Sequence, residues 1–187
     1  MSLLSSTHAT IELGDDAHDR AVVLVGEAAT NFEHWLCPAR AVGFTTCHLA
    51  LSDEAYAIWP DRDALAILDE LAGTLAAQGA AEDSIALVGV GEAARLAWLV
   101  GCTSTRFAAI GALGATPIYA ELSEAKPFQP IEMTLNLDRA LLCAFPEAAE
   151  HLALVREQLD AGSKDYEWLA ADVDQPAELA RFLDERL

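Results

Sequence analysis

The chain has 187 residues, 53% of them hydrophobic, and thirty acidic side chains against eleven basic ones give a formal charge of −19. That length suits one domain spanning 1–187 with a sizeable core, and the apolar content excludes wholesale disorder. A field of that sign excludes nucleic acid and anionic membranes as partners, because binding either needs Lys and Arg to displace counterions.

No apolar run reaches the roughly 18 residues of a membrane span. The start Met1-Ser2-Leu3-Leu4-Ser5-Ser6 lacks the basic residues and apolar core of a secretion signal, so a cytoplasmic location is expected. Lys126 and Lys164 are the two lysines, which also suits a salt-rich cytoplasm. Cys37, Cys47, Cys102 and Cys143 are widely spread with no C-x-x-C pair, so neither a disulfide framework nor a zinc site is expected.

Residues 1–7 read as a loose tail, and the alternation of Ala9 to Leu13 reads as an edge strand closed by Gly14-Asp15-Asp16. The continuous apolar run Ala21 to Val25 predicts a central buried strand, followed by a loop at Gly26–Asn31. A short helix is predicted over Phe32–Ala41, perturbed by Pro38, and a strand over Phe44–Leu51. Residues 54–62, with Tyr56, Trp59 and Pro60, are irregular. From Asp63 to Gln78 the spacing of Leu65, Leu68, Leu71, Ala72 and Leu75 predicts an amphipathic helix stopped by Gly79.

Asp83 to Leu99 organises the chain: a branched apolar run turns at Gly89 and Gly91 and continues with helical spacing to about Gly101. Phe107–Leu113 reads as another buried strand, and 114–130 as a loop carrying Pro117, Pro127 and Pro130. Ile131, Met133, Leu135 and Leu137 alternate, which predicts a short extended piece before the strand Ala140–Phe145. Pro146 is expected to open a helix ended by Gly162, Tyr166–Ala170 to form the last strand, and Asp174 and Pro176 to start a terminal helix. Alternating strands and helices predict an α/β fold, a three-layer α/β/α sandwich with a mostly parallel central sheet. Ligands of such sheets bind at the carboxyl ends of the strands, which directs attention to loops 26–31, 52–62, 89–93, 114–130, 145–150 and 171–175.

The turn at Gly89–Ala93 has the small-x-x-x-small form of a nucleophile elbow, yet its central residue is Gly91, which has nothing to attack with. In element order from about residue 20 onward the chain resembles a reduced α/β-hydrolase, closest to the dienelactone hydrolase family. Val23-Leu24-Val25-Gly26-Glu27 resembles that family's strand and oxyanion-loop start, where a glutamate follows the strand. Phe44 through Leu51-Ser52-Asp53 resembles its strand end without the proline. Leu87 to Ala97 resembles "L-V-G-x-C-x-G-G-x-L-A", Leu141 to Ala149 the strand ending "F-G-E-x-D", and Ala170-Ala171-Asp172 falls at "A-x-H". The resemblance implies a triad at Gly91, Ala149 and Asp172, so nucleophile, acid and histidine are all replaced. It therefore implies a non-catalytic binding or interaction protein, taking a small molecule or a protein partner, or forming a homo-oligomer, with no cofactor. Any remaining enzyme activity would be hydrolysis of small esters or lactones.

Gly26, Glu27, Gly91, Glu92 and His151 are the residues expected to line the cleft. Glu27 and Glu92, facing one another, would do acid/base work if their pKa values split. Cys102 lies about ten residues, roughly 15 Å, along the elbow helix and is too far to serve. His34 on a helix and His48 within a strand read as surface or core residues, and no H-x-x-x-H or H-x-H spacing marks a metal. Gly89-x-Gly91-x-x-Ala94 also matches a dinucleotide fingerprint, although the next strand ends at Gly114 without the carboxylate that would hold a ribose. Trp35, Tyr56, Trp59 and Tyr119 are the aromatic candidates for contact with a partner, and each also reads as a partial core residue.

Overall fold

Successive side chains of a strand point to opposite faces, and here the central strands are buried on both, so one sheet carries two apolar faces. The computed structural model describes residues 2–6, 9–13, 18–52, 62–119, 129–147, 151–170 and 172–187. Its strands are β1 (Ser2–Ser6), β2 (Ala9–Leu13), β3 (Arg20–Glu27), β4 (Phe44–Leu51), β5 (Ile85–Gly91), β6 (Ala109–Gly114), β7 (Ala140–Ala144) and β8 (Tyr166–Trp168). Its helices are α1 (Phe32–Ala41), α2 (Arg62–Ala77), α3 (Ala93–Thr103), α4 (Leu152–Ala161) and α5 (Gln175–Arg186).

The sheet order is β1-β2-β4-β3-β5-β6-β7-β8, parallel from β4 to β8 and antiparallel where β2 joins β4 and β1 joins β2. Along β3, Val22 and Leu24 pack into one core layer with Phe32, Leu36, Leu179 and Phe182 of α1 and α5. Ala21, Val23 and Val25 pack into the other, with Leu68, Leu75, Trp98, Val155 and Leu159 of α2, α3 and α4. Helices on both faces of a parallel sheet bury it twice, which is why its strands read as unbroken apolar runs.

Four expectations are corrected. Residues 2–6 are strand β1, antiparallel to β2, so Ala9–Leu13 is an internal strand and not the edge. The alternating stretch after 130 is a 3-10 helix, Pro130–Asn136, and not an extended piece. Its burial follows a period of three, with Ile131, Thr134 and Leu137 inside and Leu135 65% exposed. Pro130 opens it, the Gln129 N–H donates to Glu132 Oε2 at 3.3 Å, and the Thr134 hydroxyl donates to the Ile131 carbonyl at 2.7 Å. Pro146 does not open α4, which starts at Leu152, because His151 adopts a left-handed φ of 69° that no right-handed helix accommodates. The last strand ends at Trp168, short of Ala170.

Elsewhere local signals hold. Asn31 and Asp174 cap α1 and α5 by accepting from the His34 and Ala177 N–H groups, and α1 continues through Pro38. The terminal helix is tied down by ion pairs Arg20–Asp184 and Arg186–Asp165, each 2.8 Å, and by Arg181 with Glu167. No helix among the described residues is long and apolar enough to cross a membrane.

All four cysteines are free, Cys37 exposed and Cys47, Cys102 and Cys143 buried. Burial pushes the Cys47 and Cys102 thiols up to about 12 and Cys143 higher still. A thiol that never ionises and never meets solvent does not react. Ellman's reagent is therefore expected to titrate one thiol in the native protein and four after denaturation.

Candidate functional site

From β3 the chain crosses to β4 on one side and returns to β5 on the other, so the connections leaving β3 and β5 part company. A crevice opens where they diverge, at the carboxyl ends of those strands. Glu27 ends β3 and Gly91 ends β5. Val25 pairs in register with Gly89, which brings Glu27 level with Gly91.

Gly91 has φ +65°, the left-handed conformation of a sharp strand-to-helix turn. A Cβ at Gly89 would stand 2.1 Å from the Ala93 carbonyl oxygen, so α3 starts in contact with the strand that feeds it. Gly114, at the end of β6 and paired with Gly91, would place a Cβ 2.7 Å from the Gly91 Cα and nitrogen. The Ala115 N–H donates to the Gly91 carbonyl at 3.0 Å and fixes this contact. The elbow's backbone is thus fully formed. What it lacks is a reactive side chain.

A Cβ at position 91 would meet Glu27 Oε1 at 3.8 Å, and among the described residues no other atom beyond its chain neighbours lies within 4 Å. The point where a nucleophile's side chain would stand is open. Around it lies a cleft of about 690 Å³ lined by Glu27, Gly91, Glu92, Arg95, Gly114, Ala115, Thr116, Ile118, Tyr119, Pro146 and His151.

Arg95 holds one wall. Its Nε donates to the Thr116 carbonyl at 2.9 Å, Nη1 pairs with Glu92, and the guanidinium lies 5.9 Å from the centre of the Tyr119 ring. Burial pulls the Arg95 pKa below its ordinary value, with Tyr119 opposing; burial raises the Tyr119 phenol to about 12, with Arg95 opposing. The phenol stays protonated at neutral pH. The Tyr119 N–H donates to Gln129 Oε1 at 2.5 Å, and Gln129 Nε2 donates to the Tyr119 carbonyl at 3.0 Å, so both backbone groups are held.

Of the residues expected to line the cleft, Glu27, Gly91, Glu92 and His151 are brought together. Gly26 is buried and is not among the lining residues; a Cβ there would stand 2.6 Å from Thr30 Oγ1. His151 is exposed at the mouth, ahead of α4 and not within its first turn. Asp172 is exposed and does not line the cleft, while Ala149, Tyr56 and Trp59 lie outside the described residues. Trp35 packs partly buried against the core, and Tyr119 is buried at 9% exposure, so neither stands out as a bare aromatic contact. His34 is exposed beside Trp35, and His48 stacks on Phe32 at 4.2 Å between ring centroids. Arg95 lies outside the loops to which the sequence directs attention, whereas Gly114 and Thr116 fall within loop 114–130. The spacing of Glu92 and Arg95, three apart at the start of a helix, was the one available signal for that pair.

Neither a protein-family model nor a curated protein matches the chain in sequence. Solved structures match it in fold. A Klebsiella pneumoniae protein assigned as a dienelactone hydrolase superposes with a TM-score of 0.66 at 17% identity, over 92% of this chain and 88% of its own. The Pyrococcus furiosus esterase Pf2001 gives 0.69 at 12% identity, over 95% and 87%. A thioesterase domain from the curacin biosynthetic pathway gives 0.67 at 10% identity, over 99% and 96%. The architecture is that of an α/β-hydrolase, similar to dienelactone hydrolases and esterases.

Proposed function

We propose that this protein uses an α/β-hydrolase scaffold to bind a small molecule in the cleft above Gly91 without cleaving it. The observation that carries this reading is the complete elbow backbone with glycine at its centre and open space where a nucleophile would be. Covalent acyl transfer requires an attacking oxygen or sulfur and a base within hydrogen-bond reach of it. Position 91 supplies no such atom. An open cleft of about 690 Å³ remains, a size suited to a small ligand.

A competing reading assigns acid/base chemistry to Glu27 and Glu92. Glu92 is already engaged in an ion pair with Arg95, which disfavours it as a base. Nucleotide binding at Gly89–Ala94 is disfavoured by the same carboxylate, which would repel a pyrophosphate at the start of α3.

The test is turnover of p-nitrophenyl acetate, expected to be no faster than in buffer. Gly91→Ser is expected to fold, at a cost of about 1 to 2 kcal/mol for a side chain in the left-handed region. It should remain inactive, because the positions resembling the family's acid and histidine are Ala149 and Asp172. Ester turnover abolished by Glu92→Gln, and not by Glu82→Gln at a remote surface carboxylate, would overturn the reading.

A further inference from the structure

The cleft's charged groups are unequally engaged. Arg95 is its one guanidinium among the described residues, and a backbone carbonyl, an ion pair and an aromatic face already occupy it, with its side chain only 20% exposed. An incoming anion would have to displace Glu92 to reach it. Glu27 differs. Its carboxylate projects toward the vacant elbow, Oε1 lying 3.8 Å from the point a side chain at 91 would occupy. Ile118, Tyr119 and Pro146 supply apolar wall in the same cleft. The formal charge of −19 raises the local concentration of cations and depletes anions.

We propose that the cleft takes a small organic cation, its ammonium set in the vacant elbow against Glu27 and its apolar body laid along Ile118, Tyr119 and Pro146. This rests on the non-cleaving reading above, since it places the ligand's head where the nucleophile of a hydrolase would stand. An ammonium fits on chemical grounds: it supplies donors to an acceptor-only carboxylate and offsets its charge in a partly enclosed site. A neutral alcohol of the same shape makes a weaker hydrogen bond, and a carboxylate is repelled.

The probes are benzylamine, benzyl alcohol and benzoate, one skeleton carrying three charges, followed by calorimetric titration and by the thermal midpoint. Benzylamine is expected to bind about tenfold more tightly than benzyl alcohol and to raise the midpoint saturably, the size expected of one charge-assisted hydrogen bond. Glu27→Gln should remove about that tenfold advantage, and Glu82→Gln should leave it unchanged. Gly91→Ser fills the vacancy and should also weaken benzylamine, which keeps the proposal testable if Glu27→Gln does not fold.

Equal binding of amine and alcohol, tightest binding of benzoate, or an advantage that survives both cleft substitutions would overturn the proposal. Running p-nitrophenyl acetate turnover on the same samples separates the two readings. Loss of amine binding without turnover removes the cation and leaves the non-cleaving reading standing. Turnover that depends on Glu27 removes the non-cleaving reading itself.

Discussion

Gly89→Ala is expected to destabilise the protein by about 3 kcal/mol, the upper range of overpacking a well-filled site. The added carbon would lie 2.1 Å from the Ala93 carbonyl oxygen, 2.5 Å from its carbon and 2.8 Å from the Ala94 nitrogen. All three are backbone atoms in the first turn of α3, so no rotamer change relieves the contact. The helix must move off the sheet. That movement would disturb Ala93, Ala94 and Ala97, which are buried at 1% exposure or less against the strands. Gly73→Ala supplies the matched control, since the same carbon there meets nothing within 4 Å on the exposed side of α2. It should stabilise by about 0.5 to 1 kcal/mol, because alanine is the better helix former. Urea midpoints for the two variants should therefore move in opposite directions. Equal shifts would mean that α3 does not rest on β5 as described.

Trp98→Ala is expected to cost about 3 to 5 kcal/mol, the range for removing a large aromatic from a core. Trp98 is completely buried and heads the fully buried side chains by volume. Its indole N–H, however, has no hydrogen-bond partner among the described residues. A buried donor without an acceptor forfeits its hydration and gains nothing in return, at a cost of about 1 to 3 kcal/mol. Trp98→Phe removes that donor while keeping most of the apolar surface, so its loss should be much smaller than that of Trp98→Ala. Thermal unfolding followed by circular dichroism gives both values. A phenylalanine variant as unstable as the alanine one would show that the indole N–H is satisfied in solution.

The elbow links these stability arguments to function. Gly89 lets α3 approach, Gly114 lets β6 close on Gly91, and Gly91 takes the left-handed turn. Each geometric requirement of a nucleophile elbow is met at the level of backbone. The cleft is present whether or not it holds a reactive group, and the proposed binding role rests on that.

The sequence by itself determined the strands β3, β4 and β5, the helices α1, α2 and α5, and the sharp turn with glycine at its centre. These follow from forces acting within a few residues: side-chain period, capping by Asn31 and Asp174, and the conformational range of glycine. Through element order and the family resemblance it also suggested that Gly26, Glu27, Gly91, Glu92 and His151 share a cleft, which Gly26 does not line. Short-range pattern misled where a partner decided the outcome. Ile131 to Leu137 alternates in sequence yet coils, because packing selects every third residue and leaves Leu135 outside. Residues 2–6 carry little strand signal yet pair with β2.

Only the tertiary structure brought Arg95, Thr116 and Tyr119 into one wall, set Glu27 beside a residue 64 positions away, and turned His151 out of its helix. The physical reason is that such convergence depends on sheet register and crossover direction, which involve the whole chain at once. Helix caps and apolar periods need only their neighbours, and so they can be read from a single line of sequence.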